Sequence, residues 1–278
     1  MYYKVLCFVI LSLLSVCHAG PLKAKERILN GTVAEGGMFP YMASLQNKKT
    51  SFHYCGASII NKRYLLTAAH CLEHPTYKDE NGDKTGVMDL DTLKIVVGIN
   101  RLDDNEGITL EAEKLINHEK YNIYQPTHIN QYDIGLIRLN KDIEFNDRVQ
   151  PIKLITSKDD YPKKDEILKL TGWGISEKGS HIASNDLLTA RLLYMNAQDC
   201  EKRWTPEFYN YYLDDGMMCT VSFQIPDSGD SGSPLVNDRG IQVGVFVTGL
   251  GIRHLPNGYT DVLFYADWIA EHSKISDD

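Results

Sequence analysis

Gly229-Asp230-Ser231-Gly232-Ser233-Pro234-Leu235 is the stretch on which the reading of this chain turns. Alone it is a serine in a glycine-bearing loop, and such loops are common. It gains meaning from two segments upstream, Leu66-Thr67-Ala68-Ala69-His70-Cys71 and Asp133-Ile134-Gly135-Leu136-Ile137. Together they place a histidine, an aspartate and a serine in that order, 63 and then 98 residues apart. A serine hydroxyl is a weak nucleophile until an adjacent imidazole takes its proton, and a buried carboxylate then fixes the imidazole tautomer and stabilises the imidazolium. In that order His70, Asp133 and Ser231 are candidates for a base, its orienting acid and a nucleophile. An α/β-hydrolase would need a further Gly after the serine, and its acid and histidine would have to follow Ser231, where Asp261 and His272 stand. The strand pattern does not suit that fold.

Outward from these segments, short apolar runs rich in β-branched and aromatic residues alternate with Gly, Asn, Asp and Pro. Examples are Met42–Leu45, Ala57–Ile60, Leu65–Thr67, Leu93–Val97, Ile134–Leu139, Ile167–Thr171 and Gln242–Val247. Such spacing predicts an antiparallel sandwich or barrel, and no series of 10–15-residue helices alternates with the strands. Near the C-terminus Phe264, Trp268, Ile269 and His272 recur at helical spacing, predicting an amphipathic helix docked by Phe264 and Trp268.

The whole chain has 278 residues, 29 basic against 37 acidic, with 43% hydrophobic residues and six cysteines. That is a foldable globular composition, not a disordered one. Lys4 precedes an apolar run from Val5 to Val16, with small residues at Cys17 and Ala19, which resembles a secretory signal over residues 1–19. The run is too short for the about 20 residues of a membrane span. Residues 20–27 carry Lys23, Lys25 and Arg27 and end before the apolar Ile28-Leu29, as an activation segment with a cleavable Arg27–Ile28 bond would. Without those 27 residues, 251 remain, with 25 basic against 36 acidic and a formal charge of −11. So acidic a chain argues against nucleic acid or anionic membrane as partners.

Losing the leader also removes Cys7 and Cys17 and leaves Cys55, Cys71, Cys200 and Cys219. In an oxidising compartment these imply two disulfides, for which three connectivities exist. Cys55, His70, Cys71 and His74 match no familiar zinc spacing, so no metal is expected. Asp79, Glu80, Asn81, Gly82 and Asp83 lack the spacing of an EF-hand and predict a solvated loop. Asn30-Gly31-Thr32 is a sequon and a candidate glycosylation site.

From about Ile28 to Ile275 the chain resembles the chymotrypsin-like secreted serine endopeptidases. The likeness rests on Ile28-Leu29-Asn30-Gly31, Thr67–Cys71, Asp133–Leu136, Thr171-Gly172-Trp173-Gly174, Gly229–Leu235 and the region around Asp267-Trp268-Ile269. It implies an all-β fold of two antiparallel six-stranded barrels with a C-terminal α-helix, all within residues 28–278. His70 and Asp133 would sit on the first barrel and Ser231 on the second. It further implies an oxyanion hole from the backbone N–H groups of Gly229 and Ser231, and an Asp230 that receives the α-ammonium of Ile28 after cleavage following Arg27. The implied disulfides are Cys55–Cys71 and Cys200–Cys219. No cofactor is implied.

Departures from the pattern cluster around the expected substrate pocket, Ile225-Pro226-Asp227-Ser228 with Val247-Thr248-Gly249 and Asn257. The third disulfide common in the family is missing, with Asp227 and about Ile252 in its place. Val247 and Thr248 stand where the family carries Ser and Trp, and Ser233 replaces a Gly. Ile99 stands near the first acidic position of the family's calcium loop, although Asp103, Asp104 and Glu106 are close. Ungapped counting puts Ile225 or Pro226 at the pocket floor, giving a chymotrypsin-like preference for large apolar side chains. A two-residue gap before Gly229 would instead bring Asp227 there and favour basic side chains. The expectation is a secreted, extracellular, monomeric serine endopeptidase zymogen with protein or peptide substrates, an activating protease and protein inhibitors. The alternative is a weakly active or inactive protease-like binding protein in a secreted cascade.

Overall fold

The structure is a computed structural model that describes residues 31–73, 87–122, 131–177, 180–204, 215–249 and 255–275. The leader, the activation segment, Arg27, Ile28, Asn30, His74, the 79–83 run and Ile252 lie outside the described residues.

A two-residue strand β1 (Thr32–Val33) precedes seven strands of a first unit: β2 (Met42–Asn47), β3 (His53–Ile59), β4 (Tyr64–Thr67), β5 (Leu93–Val97), β6 (Ile108–Leu110), β7 (Ala112–Asn117) and β8 (Gly135–Leu139). The second unit holds β9 (Lys153–Leu154), β10 (Ile167–Gly172), β11 (Leu188–Met195), the helix α1 (Ala197–Trp204), β12 (Met217–Val221), β13 (Pro234–Val236), β14 (Ile241–Thr248) and β15 (Asn257–Asp261). The helix α2 (Ala266–His272) ends the fold. The first sheet runs β6-β5-β2-β3-β4-β8-β7, a half-barrel in its hydrogen bonding. The second runs β11-β10-β13-β14-β15-β12 and closes on itself because β12 pairs back with β11, as in Leu193 opposite Val221. This is the all-β, two-unit architecture with a C-terminal helix that the sequence implied.

Strands form where the β-branched runs stand, and they bury nearly every residue of β3, β4 and β14. Burial on both faces follows from each sheet curling around its own core while packing on the other unit. Ser58 Oγ donates to Gln242 Oε1 across the junction at 2.7 Å, pairing two buried polar groups there. β1 pairs with β11, which fastens the start of the described chain to the second unit.

Both bridges have the implied connectivity. Cys55–Cys71 joins β3 to the turn carrying His70, and Cys200–Cys219 joins α1 to β12, with Cα separations of 6.1 and 6.2 Å. One expectation needs correcting. Phe264 does not dock the C-terminal helix; it lies two residues before it and is 53% exposed. Its backbone N–H is held by Asp261 Oδ1, which turns the ring outward, and Tyr265 and Ile269 are the buried anchors.

Candidate active site

His70 lies in a single 3-10 turn, Ala69–Leu72, directly after β4, and Asp133 lies just before β8, the neighbour of β4. Pairing of Thr67 with Gly135 therefore brings the two side chains together from 63 residues apart. Asp133 is fully buried and grips His70 twice: Oδ2 is 2.7 Å from Nδ1, and Oδ1 accepts the His70 backbone N–H at 2.9 Å. This fixes a proton on Nδ1 and leaves Nε2 unprotonated, 3.7 Å from Cys71 Sγ. Burial alone would lower the His70 pKa, but the charge and hydrogen bond of Asp133, with Glu73 contributing, outweigh it and hold it above the ordinary histidine value.

Two threonines, neither singled out by the sequence reading, join this pair to its surroundings. Thr260 Oγ1 on β15 donates to the Asp133 carbonyl at 2.7 Å, tying the second unit to the carboxylate's backbone. Thr67 Oγ1 donates to the Gly56 carbonyl at 2.8 Å. Buried Val247 offers no hydroxyl to the carboxylate.

Ser231 occupies the turn before β13. Its carbonyl accepts from Gly56 N–H at 2.7 Å, and the next residue's N–H donates to Phe246 O on β14 at 2.8 Å. The turn is thus clamped between β3 of one unit and β14 of the other, and a Cβ on Gly232 would lie 3.3 Å from Ala68 N, two residues before His70. Ser231 Oγ is not hydrogen-bonded to His70 Nε2. The positive φ of Gly229, +95°, suits only glycine here, because a Cβ would lie 3.1 Å from Gly174 Cα.

Behind Gly229 stands His53, which the sequence reading missed. Its Nε2 is 2.9 Å from the Gly229 carbonyl and its Nδ1 2.8 Å from Ser44 Oγ, which also accepts from Gln46 Nε2 at 3.0 Å. A carbonyl can only accept, so the imidazole proton is on Nε2 and the relay runs Gln46 to Ser44 to His53 to Gly229. Burial pushes the His53 pKa down to about 4, against the raising effect of the Gly229 carbonyl, so the ring stays neutral. The only available signal was a lone histidine two residues before a cysteine.

Asp230 is fully buried, accepting Gly174 N–H at 2.8 Å and Asp227 N–H at 3.1 Å. Burial pushes its pKa up to about 7 even though those two N–H groups oppose the shift. The sulfurs of Cys55 and Cys71 beside His70 are joined in a bridge, so they offer no thiolate pair for a metal.

A model of the trypsin family matches residues 28–269. The chain belongs to the trypsin family. It is 34% identical over 248 residues to chymotrypsin-2 of Vespa crabro, covering 88% of this chain and 99% of that protein. It is 31% identical over 272 residues to ovochymase of Halocynthia roretzi, covering 92% of this chain but spanning only 16% of that protein. The solved structure of neuropsin, a serine protease expressed in the limbic system of mouse brain, superposes with a TM-score of 0.70 over 88% of this chain and 99% of that one, at 24% identity. As a member of the trypsin family the chain is a serine-type endopeptidase, a hydrolase.

Around the expected substrate pocket of this trypsin-family chain, Ile225 and Pro226 are buried, whereas Ser228 is exposed. Gly249 faces both Asn257 and Pro226: a Cβ on it would lie 2.8 Å from Asn257 Oδ1 and 3.3 Å from Pro226 O. Trp204 of α1, another residue the sequence reading passed over, lies against Gly258 beside Thr248 and donates Nε1–H to Pro256 O at 3.0 Å. Asp227 turns back on its own loop, its Oδ1 accepting Ser228 N–H at 2.7 Å.

Proposed function

We propose that this chain is the precursor of a secreted serine endopeptidase with His70, Asp133 and Ser231 as its triad. The observation that carries the proposal is the doubly bonded His70–Asp133 pair together with a Ser231 turn clamped to β3 and packed, through Gly232, against Thr67 and Ala68 just before His70. Ser231 Oγ attacks the scissile carbonyl while His70 Nε2 takes its proton, and the imidazolium then protonates the leaving amine. Water next attacks the acyl-enzyme through the same base and releases the acid. Gly229 and Ser231 N–H groups hold the oxyanion. The absence of an Ser231–His70 bond does not oppose this, since such bonds tighten when substrate is bound. Cleavage after Arg27 by an activating protease would deliver the Ile28 ammonium to Asp230. A monomer acting on proteins or peptides and open to protein inhibitors follows from the same reading.

Export is supported by the leader and by two disulfides, which suit an oxidising compartment. No helix among the described residues is long and apolar enough to cross a membrane. Buried Ile225 and an Asp227 carboxylate taken up by the Ser228 N–H favour large apolar side chains over basic ones. Treating chain cleaved after Arg27 with an organophosphorus reagent should label Ser231; folded, cleaved protein that takes no label ends the proposal. Profiling a peptide library with the same material tests the pocket, and cuts after Lys or Arg would reverse the preference.

A second reading, a protease-like regulatory protein with little turnover, is motivated by Val247, Thr248 and Ser233 standing where the family differs. Turnover that disappears in Ser231→Ala rejects it.

A further inference from the structure

Asp133 is preceded by Tyr132, whose φ of +57° is in the left-handed region that an aromatic residue rarely enters. Such backbone strain persists only where neighbours hold the residue in place. Here His118 holds it from two directions. The His118 ring stacks on Tyr132 with centroids 4.8 Å apart and planes 24° apart, while its backbone N–H donates to Ile134 O at 3.1 Å. Ile134 N–H in turn donates to Tyr132 O at 2.8 Å, so the tripeptide centred on Asp133 is closed on itself and gripped by one residue.

His118 is itself fixed from the far side. Its Nδ1 accepts Lys120 N–H at 3.2 Å, which puts the imidazole proton on Nε2. Trp268 of α2 lies against the ring at 5.1 Å, and Tyr265 meets both His118 and Tyr132 edge-on, at 5.4 and 6.1 Å. Trp268 stacks on His272 at 4.7 Å and donates Nε1–H to Glu119 Oε2 at 3.0 Å, and His272 Nε2 is 3.1 Å from Glu119 Oε1. An unbroken series of rings, Tyr132, His118, Trp268 and His272, thus connects the C-terminal helix to the residue before Asp133.

We infer that this column positions Asp133: Tyr132, His118 and Trp268 are positioning residues that hold the carboxylate on His70, with α2 as their support. The inference rests on the triad reading above. Its physical content is that a strained residue relaxes toward extended backbone once its ring contacts are lost, and relaxation at Tyr132 rotates the next residue. A rotated Asp133 would lose alignment with His70, and with it the contribution that raises the His70 pKa.

The test uses activated enzyme and the pH profile of kcat/KM, whose acid limb reports the free-enzyme histidine. Tyr132→Ala should lower kcat by about tenfold or more with KM little changed, since small misplacements of reacting groups cost rate rather than binding. It should also move the acid limb down in pH, whereas Tyr132→Phe, which keeps the ring, should restore both. Trp268→Leu, acting from the other end of the column, should shift the same limb in the same direction by less. A folded Tyr132→Ala enzyme with an unmoved acid limb overturns the inference, whatever its rate. If that variant does not accumulate folded, an unmoved limb in Trp268→Leu overturns it instead. Ser231→Ala separates the two levels: turnover surviving there removes the triad itself, while its loss alongside unmoved limbs removes only the positioning role.

Discussion

The two halves of the site are held in opposite ways. On the His70 side every polar group of the Asp133 carboxylate and of the His70 backbone N–H is paired, and Thr260 fastens the segment from the other unit. On the Ser231 side two buried groups of the turn itself are left short among the described residues, whereas the unpaired Oδ1 of Asn117 lies behind the His70 turn and not in the His70–Asp133 pair. Asp230 has two N–H donors but no cation, and Ser233 Oγ has no hydrogen-bond partner. Burying a carboxylate against neutral donors alone is costly, and so is burying an unpaired hydroxyl. The His70–Asp133 pair is thus fully hydrogen-bonded, while among the described residues the turn beside Ser231 holds a buried carboxylate met by two N–H groups. That difference would suit the proposed precursor, since activation would then have to act on one half only.

The most severe way to break the complete half is Asp133→Asn. An amide can accept from only one of the two His70 N–H groups, and its NH2 favours the wrong imidazole tautomer. Turnover of activated enzyme should fall by about four orders of magnitude, the size usual for Ser-His-Asp triads, with folding preserved. A fall of less than tenfold would show that Asp133 does not orient the base. Gly135→Val attacks the same half through packing. Even a Cβ at 135 would lie 2.8 Å from Leu72 Cδ1, 3.0 Å from Asn117 Oδ1 and 3.4 Å from Ala69 Cα, in the turn that carries His70. Overpacking of this kind costs about 1–3 kcal/mol. Displacing His70 by about 1 Å should lower kcat by about a hundredfold. Wild-type kcat in this variant would mean that the turn can yield without cost.

The unmet charge on the other half is testable by pH in chain kept uncleaved by Arg27→Ala. Asp230 has its folded pKa raised to about 7, from the 3.8 of a free aspartate. The folded state therefore holds the proton more tightly, and this residue's contribution to stability is complete below about pH 4 and lost as pH rises through about 7. His53 works the other way, losing stability as pH falls below its ordinary value toward about 4. The two overlap, so the informative quantity is the difference from Asp230→Asn. At pH 4 the two proteins should unfold at similar urea concentrations, and near pH 8 Asp230→Asn should be the more stable, by up to about 4 kcal/mol. Cleavage after Arg27 should reverse that order, because only the wild type can pair the new ammonium. An order that stays the same after cleavage would break the comparison between the halves.

How much of this was legible in the sequence follows from the range of the forces involved. Strand positions such as Met42–Asn47 and Ile241–Thr248 were visible because burial imposes a local pattern. His70, Asp133 and Ser231 were legible as candidates because the proposed chemistry restricts residue type and their neighbours repeat a family pattern. His53, Thr260 and His118 were not, because each acts through a backbone carbonyl or a ring stack that any of several residue types could supply. The misplaced Phe264 has the same origin: helical spacing marked it as buried, but the Asp261 carboxylate caught its backbone N–H and ended the periodic face before it.

The smallest expected effect sharpens the comparison most directly. Ser233 is fully buried, with its Oγ wedged between the units: it stands against the place a Cβ on Gly56 would take and 3.0 Å from where one on Gly172 would be. Its backbone is well used, N–H donating to Asp230 O and the carbonyl accepting from Phe246 N–H, each at 3.0 Å. The strain therefore belongs to the hydroxyl alone. Ser233→Ala keeps Cβ and both backbone bonds while removing one unpaired buried oxygen, so it should stabilise the fold by about 1–3 kcal/mol, the desolvation cost of such a group. Thermal unfolding of the uncleaved chain measures this, with the Ser58→Ala variant as its contrast. That change strips the paired Gln242 Oε1 of its donor and should destabilise. Were Ser233→Ala also destabilising, the hydroxyl would have a use on this turn, and the Ser231 half would be as well satisfied as the half that holds His70.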